Sequence, residues 1–185
     1  MRPGLSFSHF GMFVNDLARM EAFYADALEF TVTDRGELPG PQGPMDLVFL
    51  SRDPDEHHQI VLISGRPEVL PFNPINQISL RADSLTTLRR MLQRLPSAGC
   101  TDAVTVTHGN AVSIYARDPE GNRLELFIDL PWYVTQPQRV PVDFALEDAE
   151  LMAWLEMHAR SQPGFMPRDQ WRAAMARKMG LSESG

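Results

Sequence analysis

A chain of 185 residues with 43% apolar residues can bury one domain-sized core or two small modules that share one, and its composition excludes a disordered chain. A net charge of −7 without any run of Lys or Arg excludes a nucleic-acid surface, so the expected partners are small molecules or protein. The single cysteine, Cys100, excludes an internal disulfide framework. With no apolar run near the ~18 residues of a membrane span and no signal-peptide core after Met1, a reducing, cytoplasmic setting without a membrane partner is expected.

Leu5 to Val14 reads as a strand, with His9, Gly11 and Phe13 on one face and Phe10, Met12 and Val14 on the other. Asn15-Asp16 supplies an N-cap for a helix to residue 28, whose stripe Leu17, Met20, Phe23, Tyr24, Ala27 and Leu28 covers a sheet. Phe30 to Thr33 is predicted as a strand and Arg35 to Pro44 as a Gly/Pro-rich loop. Met45 to Leu50 and Gln59 to Ser64 follow as strands, giving the order βαβββ.

Asn76 to Ala82 starts the same order again. Asp83-Ser84 precedes a helix to residue 95 with Leu85, Leu88, Met91, Leu92 and Leu95 on its apolar side, and strands are predicted near Val104 to Thr107, Ala111 to Tyr115 and Arg123 to Ile128. The chain is therefore expected to be α+β, with a first module over 5–66, a second over 73–130, and a Pro-rich connector with C-terminal helices over 131–185. Those helices are placed at about Leu146 to Ser161 and Arg168 to Met179, separated by a break at Pro163 to Pro167, with a frayed end from Ser182. Trp154, Phe165 and Trp171 would be hard to place on a free surface, so the C-terminal helices are expected to wrap the domain or to mediate a homodimer.

The repeat gives a register. Sliding Leu17 onto Leu85 also brings Met20 onto Leu88 and Phe23 onto Met91, and it puts His9 onto Gln77. Matching Arg52-Asp53-Pro54 to Arg117-Asp118-Pro119 puts His58 on Arg123 and Ile60 on Glu125, so strand parity gives His58, not His57, the face of Glu125. Alternation also sets Arg123, Glu125 and Phe127 on one face of the last strand. A charged Glu125 inside a strand is either a solvated carboxylate held by Arg123 or a functional group. Asp118-Pro119-Glu120-Gly121-Asn122 reads as a structural turn that pairs the last two strands. Trp132 and Tyr133 read as packing residues at the rim.

These motifs resemble the vicinal oxygen chelate superfamily over roughly residues 6 to 130, and within it the type I extradiol ring-cleavage dioxygenases. The resemblance implies two βαβββ modules curled into a cup around a divalent metal, Fe(II) first, with Mn(II), Ni(II) and Zn(II) as other candidates. It implies metal ligands at His9, Gln77 and Glu125, an acid/base histidine at His58, and His108 and Tyr115 beside the substrate oxygens. The substrates implied are a catechol-like aromatic compound and O2. Gln77 departs from the family pattern, which has histidine there, and an amide oxygen is a weaker donor to Fe(II) than imidazole. Three readings stay open: Gln77 ligates, His58 enters the ligand set, or only a binding cup remains. Two other functions are weighed beside ring cleavage. One is a glyoxalase-type isomerase or lyase, disfavoured because Ile60 stands where a first carboxylate would be; the other is a metal-free small-molecule binding protein.

Overall fold

The computed structural model describes residues 4, 6–40, 43–67, 72–73 and 75–181. Leu5 and the end from Ser182 lie outside the described residues. The first module comprises β1 (Phe10–Val14), α1 (Leu17–Ala22), β2 (Thr31–Gly40), β3 (Gly43–Ser51) and β4 (Ile60–Ser64). Asp16 starts α1 as expected, its carboxylate accepting from the Arg19 amide at 2.9 Å, and the helix continues as a π-helical turn over Phe23–Ala27. The second module repeats the order with β5 (Ile78–Arg81), α2 (Leu85–Arg94), β6 (Thr101–Thr107), β7 (Ala111–Arg117) and β8 (Arg123–Asp129). Ser84 caps α2 by accepting from the Thr87 amide.

Each module forms its own sheet. The first runs β1-β4-β3-β2; the second runs β6-β7-β8-β5, and β10 (Val140–Pro141) from the C-terminal extension adds to its β6 edge. β1 lies parallel to β4 and β5 parallel to β8, because α1 and α2 each carry the chain from the first strand across to the far side of its sheet before the remaining strands return. One alternate set of side chains in each sheet meets the helices. Met12, Ile60 and Leu62 from the first sheet and Ile78, Leu124 and Ile114 from the second join Met20, Leu88 and Leu95 in one continuous core. Full burial of such a side chain contributes about 1.5–3 kcal/mol, so the helix-side faces hold the modules together.

The turn between β7 and β8 also latches the modules. Asp118 closes it by accepting from the amides of Glu120 and Asn122, which frees the Glu120 carboxylate to reach the other module. There Oε1 accepts from the amides of Asn15 and Asp16 at 2.7 and 2.8 Å, the second being a donor that the N-terminus of α1 leaves unsatisfied. Arg66 spans the same junction, 3.4 Å from Glu120 and 3.0 Å from Asn122 Oδ1.

The C-terminal extension packs into the shared core through Leu151, Leu155 and Ala159 of α3 (Asp148–Arg160). β9 (Trp132–Tyr133) pairs with β11 (Met166–Pro167), ahead of α4 (Arg168–Lys178). Trp154, Phe165 and Trp171 are all part-buried within the chain: Trp154 stacks on His158, Phe165 packs near Trp132, and Trp171 stacks on Tyr133 at 5.2 Å. Each of the three therefore has a ring partner within the chain, and the extension wraps the domain.

Two sequence expectations need correction. Within the expected loop Arg35 to Pro44, residues 41–42 lie outside the described residues and the rest is strand: β2 and β3 pair, past an irregularity between Val32 and Asp34, out to Gly40 opposite Gly43. Pro39 and Pro44 are tolerated because Pro39 sits on an edge strand and Pro44 lies beyond the stretch where β3 pairs with β4. Ile60 is not the counterpart of Glu125 either. Ile60 pairs with Phe10 and Val61 with Gly11, whereas Leu124 pairs with Ile78 and Glu125 with Ser79, so Val61 stands in the place of Glu125. The connection from Leu50 to its partner Ile60 is longer than that from Ala116 to Leu124, and a one-residue slip turns every side chain over.

Candidate functional site

β8 carries Glu125 between neighbours that all supply hydrogen-bond donors. Ser79 faces it from β5 and Tyr115 from β7. Oε2 accepts from Ser79 Oγ at 2.6 Å and from Gln77 Nε2 at 2.8 Å, while Oε1 accepts from Ser113 Oγ and Tyr115 OH, both at 2.9 Å. His108 Nε2 stands 3.5 Å from Oε1 and 3.0 Å from the Tyr115 hydroxyl. Glu125 is only 8% exposed, and burial alone would raise its pKa. The hydrogen bonds from His108, Ser79, Tyr115 and Ser113 outweigh that and hold the carboxyl down to about 2, so it is ionised at neutral pH.

The same geometry sets the proton on His108. Its Nδ1 lies 2.6 Å from the Gln138 carbonyl, which only accepts, so Nδ1 carries hydrogen. The Tyr115 hydroxyl spends its hydrogen on Glu125, so Nε2 meets that oxygen as a donor when the ring is protonated. The hydrogen bond to Glu125 leads in raising the His108 pKa, against burial. Tyr115 is pushed up to about 12, first by burial and then by Glu125, and keeps its proton at neutral pH.

The first module contributes a second cluster. His9, just ahead of β1, and His58, in the connection ahead of β4, bring their rings to 4.1 Å, and Phe49 lies 5.2 Å from His58. His58 reaches His9 through this connection and not by the strand parity used to choose it. Its pKa is lowered by burial and then by His9 and His57, so the ring is neutral and able to accept a proton near pH 7. His57 lies alongside, with its Nδ1 2.9 Å from that of His58.

The six residues singled out from the sequence therefore fall into two groups: His9 with His58, and Gln77 with Glu125, Tyr115 and His108. Among the described residues no hydrogen bond, ion pair or ring contact joins one group to the other. Sequence reasoning missed Ser79, Ser113 and Gln138. Alternation alone puts Ser79 on the face of Gln77 and Ser113 on the face of Tyr115, so those two were open to discovery. Arg123, the expected holder of Glu125, instead lies with its guanidinium 5.7 Å from the Tyr115 ring centroid.

The donor set can be tested against a divalent cation. Among the described residues no three His, Cys, Asp or Glu side chains are grouped to hold an ion, so a site here needs the Gln77 amide. That amide and Glu125 Oε2 lie 2.8 Å apart, the spacing of adjacent donors on one small cation. Turning the amide presents oxygen in place of nitrogen and frees one Glu125 lone pair. Ser79, Ser113 and Tyr115 then remain as the outer hydrogen bonds that a ligating carboxylate carries. Gln77 and Glu125 thus fit a cation in kind as two neighbouring donors.

A family model for the glyoxalase/bleomycin resistance protein/dioxygenase superfamily matches residues 6–126. The chain belongs to this superfamily. Two superfamily relatives are dioxygenases of Rhodococcus globerulus. Biphenyl-2,3-diol 1,2-dioxygenase 2 is 28% identical over 127 residues and biphenyl-2,3-diol 1,2-dioxygenase 3 is 32% identical over 127 residues. Each match covers 66% of this chain and 62% of the relative. A solved glyoxylase/bleomycin resistance protein/dioxygenase domain from Frankia sp. superposes with a TM-score of 0.53 at 21% identity, over 70% of this chain and 100% of that domain. That likeness supports the superfamily fold and no particular chemistry.

Proposed function

We propose that this chain is an extradiol-type ring-cleavage dioxygenase acting on a catechol-like aromatic compound with O2. The observation that carries the reading is the convergence of Gln77, Ser79, Ser113, Tyr115 and His108 on one ionised carboxylate, Glu125; among these the family resemblance implies Gln77 and Glu125 as ligands and Tyr115 and His108 beside the substrate oxygens. The likeness to two biphenyl-diol dioxygenases supports it.

His9, Gln77 and Glu125 would hold the cation. Fe(II) held there would supply Lewis-acid and redox chemistry toward a diol and O2. His58, neutral at the operating pH, takes a phenolic proton. His108, with both ring nitrogens facing acceptors, is the matching proton donor, so the two histidines divide the acid and base work. Tyr115, protonated and tied to Glu125, orients substrate oxygens by hydrogen bonding. The isomerase reading is weaker because Val61, not a carboxylate, occupies the place of Glu125 in the first module.

The test is an anoxically iron-loaded sample offered a panel of catechols, followed by O2 uptake and the absorbance of ring-fission product. Uptake with at least one member is expected. Stoichiometric iron and no uptake across the panel would refute the reading.

A further inference from the structure

Two arginines converge on the Tyr115 ring. Arg123 reaches it from β8, on the same strand face as Glu125 and two residues before it, with its guanidinium carbon 5.7 Å from the ring centroid. Arg139 reaches it from the C-terminal extension at 5.3 Å. It follows Gln138, whose carbonyl holds His108, so the same stretch of backbone fixes both groups beside Tyr115.

Neither guanidinium has a carboxylate or a hydrogen-bond acceptor among the described residues. Their neighbours on the second sheet differ. Arg81 is 2.9 Å from Asp129, and Arg117 is 3.2 Å from Asp102. Acidic residues outnumber basic ones in this chain, 24 to 17, so two unpaired cations at one ring are not explained by a shortage of carboxylates. The aromatic face gives each a cation–π contact. It leaves the planar N–H fork of each unused, and that fork matches a carboxylate in geometry and charge.

We infer that Arg123 and Arg139 form a carboxylate-recognition site at the mouth of the Glu125 centre, so that the preferred ligand is an aromatic ring bearing a carboxylate. The diol half of that ligand rests on the proposed function, while the carboxylate half rests on the two arginines alone. Three probes separate them: catechol, 3,4-dihydroxyphenylacetate and phenylacetate.

Equilibrium binding of each probe to the full chain is measured calorimetrically without O2, for the wild type and for Arg123→Gln and Arg139→Gln. Both residues lie at or near the surface, and thermal unfolding checks that each variant is folded. The expected result is binding of 3,4-dihydroxyphenylacetate at least tenfold tighter than catechol, an advantage that rising salt erodes and that falls to about twofold or less in either variant. Measurable phenylacetate binding that either variant abolishes supports the site even if no diol is cleaved. Catechol binding as tightly as the carboxylated diol, or neither carboxylate binding at all, would overturn the inference. The first of those outcomes leaves ring cleavage standing.

Discussion

Gly11 and Ser79 occupy the same place in the two modules, yet Ser79 faces a carboxylate and Gly11 faces Val61. A Cβ at Gly11 would lie 3.3 Å from Ile63 Cδ1 and 3.8 Å from Val61 Cβ, so glycine leaves room for that apolar pair. The first module thus lacks both the acid and its serine partner. Val61→Glu should restore a carboxylate beside His9. In the apo protein it buries a charge with no donor and should destabilise by roughly 2–4 kcal/mol. Added Ni(II) or Zn(II) should recover much of that loss, with binding at least tenfold tighter than in the wild type by calorimetry. Unchanged affinity would mean that position 61 does not address the same ion as Glu125.

The same pair of positions shows how far the sequence was legible. His9 and Gln77 were correctly matched because the first strands and the helices carry no length change between the copies, and apolar spacing fixes their register. Val61 was missed because the Arg-Asp-Pro motif aligns well while the connections around it differ in length, and motif matching cannot see where the extra residue is absorbed. The β2–β3 hairpin was misread because glycine and proline signal loops locally, although an edge strand tolerates both. Glu120 as a cap on the other module's helix depends on tertiary placement and leaves no periodic trace. The partners of Glu125 lay one strand away, and alternation named their faces but not their distances.

Gln77 is the position at which cation binding should respond most to a single change. Gln77→His replaces an amide that must turn before it can ligate with an imidazole suited to Fe(II), and it also removes the 2.8 Å bond to Glu125. Binding of Fe(II), or of Co(II) as an air-stable probe, should tighten at least tenfold, and His9→Ala should abolish it. Calorimetry on chelator-stripped protein reads both. An affinity unmoved by the histidine would place Gln77 outside any ligand set.

Cys100 provides a test of core integrity remote from the site. Burial, followed by the nearby Asp118 carboxylate, pushes its thiol up to about 12 from an ordinary value near 9.0. The folded-state value is raised, so the associated stability is fully present below pH 9 and is lost as the pH rises from there toward 12, where the unfolded chain releases the proton first. Relative to Cys100→Ala, the wild type should lose stability progressively across that window in urea titrations. At pH 8 a thiol reagent should label Cys100 only as fast as the chain unfolds, and rapid labelling of folded protein would contradict its burial.

Arg89 ties the C-terminal extension to the second module. From α2 its guanidinium donates to the carbonyls of Phe144 and Leu146, the latter at 2.6 Å, and pairs with Asp148 at 2.9 Å at the start of α3. Three acceptors on one planar fork are more than a lysine can meet in the same geometry. Charge-assisted bonds to carbonyls contribute roughly 1.5–3 kcal/mol, whereas the exposed Asp148 pair adds little. Arg89→Ala should therefore cost about 2–3 kcal/mol in urea unfolding, and Arg89→Lys should recover less than half of it. Hydrogen exchange distinguishes local from global loss. Amides of α3, including those near Leu151 and Leu155, should lose protection before those of β7 and β8. If the lysine variant matched wild type, charge alone would account for the tether and the fork geometry would be irrelevant.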